Sequence, residues 1–238
     1  MVQMLTFYQD ANLPVKLTLT NPVLDNLDCL DKYSNSILQL CSNFNNVEIL
    51  VSSPLLENHL NRFYPNFTLS QSIIATTANN KNLEEYLQDC EKYHHIVLPR
   101  RLVKNKEFLS SIPIEYRHKF ELLCTDPCPV DCPRLSEHYY DFGRVQVGSV
   151  LSEDSLPCSN PAICNTIFKS VIFKDHQISL NEIKEYYEPD QFTEFKISGR
   201  GSIRGILNMV PMIFKPEYHT EIYNLLITNY IEQNGSII

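Results

Sequence analysis

Cys124, Cys128 and Cys132 follow one another with three residues between each pair, in the stretch Glu121-Leu-Leu-Cys-Thr-Asp-Pro-Cys-Pro-Val-Asp-Cys-Pro. Pro127, Pro129 and Pro133 forbid a regular helix there, so these thiols belong to a loop that leaves a strand. Thiolates on such a loop can converge on one metal ion or cluster, and Cys158 and Cys164 can complete the set. The spacing is neither that of zinc ribbons nor the three-then-two pattern of radical enzymes that use S-adenosylmethionine. Buried free cysteine also serves as a small hydrophobe. Cys29, Cys41 and Cys90 fit that role, since Cys41 and Cys90 fall on the apolar faces of predicted helices.

Other residues carry chemistry of a different kind. In Phe195-Lys-Ile-Ser-Gly-Arg-Gly-Ser-Ile-Arg204 a strand ends near Ser198 and a helix begins near Ser202. Arg200 and Arg204 then lie close to a helix N-terminus, where a carboxylate or phosphate is favoured; a structural ion pair is the other use of Arg200. Glu121 interrupts an apolar strand, and Lys196 on a neighbouring strand is its candidate partner. Arg100 and Arg101 stand at a strand exit, and Ser52, Ser53, Ser70 and Ser72 stand at strand ends, where turn chemistry explains them equally well. His94 and His95 precede a strand without a second ligand pair nearby in sequence, and they read as non-functional. His138 is the histidine to test, while Tyr139 and Tyr140 beside it read as packing.

The elements that must position these groups alternate. Strands are expected at Val15–Thr20, Val47–Val51, Phe67–Ile73, Ile96–Leu98, Phe120–Cys124 and Thr193–Ile197. Helices are expected from Asp28 to about Ser42, from Pro54, over Asn82–Tyr93, briefly over Glu107–Ser111, over Ile178–Tyr187, and in two stretches within 202–233. Regular alternation of this kind implies an α/β fold with a mainly parallel sheet. The expectation is one (β/α) barrel-like domain over residues 1–238, incomplete or short at its N-terminus, with an irregular Cys- and Pro-rich insertion at 125–165.

Composition removes several classes. A net charge of −8 disfavours a broad nucleic-acid footprint. No apolar run approaches the roughly 18 residues of a membrane span. The first ten residues lack a basic region and a cleavage site, so no secretory signal is read there. The eight cysteines then point to a reducing compartment, the cytoplasm. With only six glycines, the chain shows no dinucleotide fingerprint, phosphate loop or nucleophile elbow.

Taken in order, Glu121-Leu-Leu, Cys128-Pro-Val-Asp-Cys132-Pro, His138-Tyr139 and Phe195-Lys-Ile-Ser-Gly-Arg200 resemble the signature of the collagenase-like peptidase family U-thirty-two. Leu17-Thr-Leu-Thr-Asn21, Ser52-Ser-Pro-Leu-Leu56, Tyr64-Pro65 and Lys169-Ser170 agree, so the resemblance runs from about residue 15 to 232. It implies a β/α barrel and an iron–sulfur protein of oxygen-independent hydroxylation, acting on a small anionic substrate such as a ubiquinone precursor or on a pyrimidine in RNA. It implies cluster binding by Cys128, Cys132 and Cys158, with Cys164, Cys124 or His138 as the fourth ligand. Zinc, or no cofactor, are the alternatives. Glu121, His138 and Lys196 are the catalytic candidates, and Arg200 and Arg204 the anion-binding ones. RNA is disfavoured by the acidic balance, and an open sheet edge calls for a protein partner or a second copy. The competing functions are a peptidase, as the family label suggests, and a non-catalytic scaffold that kept the barrel.

Overall fold

The computed structural model describes residues 1–125, 130, 132–149, 178–197, 207, 210 and 216–234. The chain divides into two compact units: Met1–Val97 with Pro133–Pro157, and Leu98–Cys132 with Cys158–Ile238. Six strands, all parallel where their pairing is defined, alternate with helices among the described residues, so the fold is α/β. An eight-stranded closed barrel is not formed by the described residues.

In the first unit β1 (Val15–Leu19), β2 (Val47–Val51), β3 (Thr68–Gln71) and β4 (Ile96–Val97) lie side by side in chain order. Their register pairs Lys16 with Glu48, Leu50 with Ser70, and Gln71 with Ile96. All five residues of β2 are buried, as expected of a parallel strand covered on both faces. The helices between strands are set by their caps. Helix α1 (Val2–Asp10) precedes β1 and buries only Leu5. Asp31 accepts from the Ser34 amide to start α2 (Lys32–Cys41), which buries Leu38 and Cys41. Ser53 and Pro54 start α3 (Pro54–Phe63), which packs on β2 and buries Leu56 and Leu60. Ser72 caps α4 (Ile73–Ala78), and Asn82 with Glu85 closes a capping box on α5 (Leu83–Lys92), which buries Tyr86 and Cys90. Each fully buried large side chain in this set contributes about 1.5–3 kcal/mol.

In the second unit β5 (Phe120–Thr125) is buried along its whole length and pairs with β6 (Glu194–Ile197). The amide of Leu98 donates to Glu121 O at 3.0 Å. Two short helices follow, α6 (Arg100–Val103) and α7 (Lys106–Ser111). Ser179 and Glu182 form a capping box at Leu180–Glu182, which continues as a π-helical turn, Ile183–Tyr187. The Tyr187 hydroxyl donates to Val103 O at 3.1 Å, and its ring meets Phe192 and Phe195 edge-on.

Three expectations change. The helix expected from Asp28 begins as a 3-10 turn, Asp28–Leu30, and restarts after Asp31, because that aspartate caps the new helix. The strand expected through Ile73 ends at Gln71, since Ser72 is already a helix cap. The stretch expected to be irregular contains a twelve-residue helix, α8 (Leu135–Gln146).

Helix α8 packs against the loop after β1. The Asn21 side-chain amide donates to Gly143 O and to Gln146 Oε1, both at 3.1 Å. The approach is so close that a Cβ on Gly143 would lie 2.8 Å from Asn21 Oδ1 and 3.0 Å from Pro22 Cδ. Alanine usually improves on glycine inside a helix by about 1 kcal/mol. Here the overlap costs about 1–3 kcal/mol and reverses the sign. Gly143→Ala is therefore expected to lower the urea midpoint with an unchanged slope; a midpoint that rises would show that the contact gives way freely.

Candidate functional site

Parallel α/β sheets hold ligands at the carboxyl ends of their strands. In the first unit a cavity of about 350 Å³ opens there, beyond β1. Thr18, Thr20, Asn21, Asn35, His59 and Gln146 supply its polar lining. Asn35 organises one wall. Its side-chain amide donates to Cys29 O and Asp31 O, both at 2.8 Å, so its Oδ1 is left to accept. That oxygen receives the Tyr64 hydroxyl at 3.0 Å and faces His59 Nε2 at 2.9 Å. The network therefore assigns the proton to His59 Nε2 and a lone pair to Nδ1. Burial pushes the His59 pKa below its ordinary value of 6.5, which keeps the ring neutral near pH 7. Among the described residues Asp28 is the one carboxylate in the lining, and no lysine or arginine lines it. Such a cavity suits an uncharged polar ligand.

The cysteine loop leaves the carboxyl end of β5 in the second unit. Cys124 is fully buried, its thiol lies 3.5 Å from Leu122 O, and burial with the nearby Glu121 and Glu182 carboxylates pushes its pKa up to about 12. A thiolate is disfavoured there. Cys132 is half-buried. Cys128, Cys158, Cys164, Arg200 and Arg204 lie outside the described residues. Cys29, Cys41 and Cys90 are buried, in keeping with a core role.

Glu121 and Lys196 come together, with Lys196 Nζ 3.5 Å from Glu121 Oε1. The register sets this up: Glu121 stands opposite Glu194 and Leu123 opposite Lys196, which puts Glu121 and Lys196 on one face as diagonal neighbours. Burial of Glu121, 7% exposed, makes that cation necessary. His138 stands on α8 in the first unit, its ring stacked on Phe142 at 4.6 Å. Of the strand-end serines, Ser53 and Ser72 are helix caps.

The group that sequence reasoning set aside is at the opposite, amino end of the first unit's strands. Glu48 near the start of β2 meets His94 and His95, which immediately precede β4. Glu48 Oε1 lies 3.2 Å from His95 Nδ1 and 3.6 Å from Lys16 Nζ; Oε2 lies 3.5 Å from His94 Nδ1. The Ser70 hydroxyl donates to Glu48 and accepts the His95 amide at 2.8 Å. Donor atoms of Glu48, His94 and His95 all lie within 4.8 Å of one another, so this trio could hold a metal ion. Burial acts to raise the Glu48 pKa. The His95 hydrogen bond and the attraction of Lys16, His95 and His94 outweigh it and hold the group below its ordinary 4.5. The signal available in sequence was Glu48 itself, a carboxylate in an otherwise apolar strand.

A depressed folded-state pKa stabilises above the ordinary value and is lost as pH falls through the folded one. Glu48 thus contributes fully above about pH 4.5 and loses its contribution on further acidification. Glu48→Gln is expected to cost about 2 kcal/mol at pH 7 and to flatten the acid limb of a stability–pH profile; an unchanged limb would show that Glu48 is not linked to folding. No family model, no curated protein and no solved structure matches this chain.

Proposed function

We infer that this chain is a barrel-like enzyme or enzyme subunit of the U-thirty-two kind, acting in oxygen-independent hydroxylation or a related redox modification of a small anionic or RNA-borne substrate. The observation that carries this reading is where β5 ends. Its carboxyl end, where such sheets hold ligands, is the point from which the sequence runs on to Cys128 and Cys132, and Cys132 keeps contact with solvent. In this reading the cluster's donors are Cys128, Cys132, Cys158 and Cys164. Cys124 does not fit, because its buried thiol sits beside two carboxylates and resists ionisation. A cluster bound by those four would supply electron transfer to the substrate.

The chain's own groups have separate tasks in this reading. Arg200 and Arg204 bind the anionic part of the substrate. Lys196 pairs with Glu121 across β5 and β6, which sets an amine and a carboxylate side by side for proton transfer. The acidic balance leaves any RNA-directed role dependent on a partner with a basic surface.

Anaerobic purification is the test. The protein should carry iron and sulfide and absorb broadly at about 400 nm. Cys128→Ala and Cys132→Ala should lose the iron, whereas Cys124→Ala should keep it and lose stability instead. A colourless, iron-free anaerobic preparation would overturn the reading.

A further inference from the structure

The Glu48 cluster lies outside that site and has a donor set of its own. Two imidazole nitrogens and a carboxylate oxygen gather within 4.8 Å of one another. A tetrahedral ion with bonds of about 2.0–2.2 Å separates its donor atoms by about 3.4 Å. Here His95 Nδ1 lies 3.2 Å from Glu48 Oε1 and His94 Nδ1 3.5 Å from Oε2, and one donor atom from each residue falls within 4.8 Å of the others, a spread that small side-chain rotations close onto an ion. Nitrogen and carboxylate donors in this mixture favour a zinc-class cation over magnesium or calcium, which take oxygen.

The donors are held before any ion arrives. The His94 amide donates to Leu69 O and the His95 amide to Ser70 Oγ, each at 2.8 Å, which anchors both residues on β3. The two rings stand 4.0 Å apart at 61°. Ser70, with no exposed surface, donates to Glu48 Oε1, the kind of support that orients metal ligands. His94 has 55% of its side chain exposed, so solvent reaches the cluster and can fill a fourth position. Lys16 Nζ, 3.6 Å from Glu48 Oε1, stands on the same carboxylate as a built-in competing cation.

The place of the cluster decides what an ion would do. It sits at the amino ends of β2 and β4 with β3 between them, the end of parallel α/β strands associated with stability rather than catalysis. We propose that Glu48, His94 and His95 bind one zinc-class divalent cation, and that the ion fastens the amino ends of β2, β3 and β4 together. This does not depend on the cysteine cluster, and it uses none of its ligands.

The test uses the full chain after treatment with a chelator. Zinc chloride is titrated calorimetrically, and the melting temperature is measured with and without zinc. Cobalt(II) then reports the ligand type, because thiolate ligands give intense charge-transfer absorption that nitrogen and oxygen ligands lack. The wild-type chain should bind zinc and melt higher with it, and should bind cobalt without thiolate absorption. His94→Ala, at a largely exposed side chain, should fold normally and bind more than about tenfold more weakly, and lose the thermal shift. Lys16→Met should bind more tightly. Equal zinc affinity in wild type and His94→Ala, cobalt bound only with a thiolate signature, or no binding would overturn the proposal. Iron content in the cysteine variants is a separate readout, so failure of one site leaves the other distinguishable.

Discussion

A carboxylate placed on a strand with protein on both faces has no water to hold its charge, and the amino ends of the first unit are arranged around one such group. Glu48 is 6% exposed, within a strand whose every residue is buried. Left unpaired, it would cost several kcal/mol or take up a proton. Lys16, Ser70, His94 and His95 come from three different segments to prevent that. This ties register to electrostatics. A slip of β2 by one residue would turn Glu48 to the opposite face and bring Val47 or Ile49 to Lys16, leaving charges on both strands unmet. Glu121 and Lys196 make the same bargain in the second unit, where the diagonal across β5 and β6 brings them together. The polar face of each pair of strands is thereby fixed as strictly as the apolar one.

Strands β1, β2, β4, β5 and β6 were legible in the sequence because β-branched and leucine runs bounded by proline, asparagine and serine have few other solutions. The helix starts at Pro54 and Asn82 were legible from their caps. So was the meeting of Glu121 with Lys196, since a carboxylate inside an apolar run demands a cation. Helix α8 was not. Leu135, Tyr139 and Phe142 do fall at helical spacing, but the prolines and cysteines around them mask that stripe, and its buried residues are Leu135, Asp141 and Gly143. It is held by the fit of a glycine against Asn21–Val23 and by the ion pairs of Asp141 with Arg134 and Arg144. Helix α1, with Leu5 alone buried, escaped detection as well. The histidine pair was read and set aside because its partner is 46 and 47 positions away, and the register of β2, β3 and β4 makes them neighbours.

A charged network and an open cavity are thus divided between the two ends of the first unit's strands. The amino ends hold a charged network that is closed by hydrogen bonds and register. The carboxyl end of β1 holds a cavity whose groups are directional but mostly uncharged: hydroxyls of Thr18 and Thr20, amides of Asn21 and Gln146, and a neutral His59. Ion pairing has little place in such a lining. Discrimination there would come from hydrogen bonds, which reject a ligand lacking the matching hydroxyl or amide because a buried group is then left unmet. The Asn21 side chain holds α8 by Gly143 and Gln146 and also lines that cavity, so the close glycine contact shapes the cavity wall as well as a helix packing.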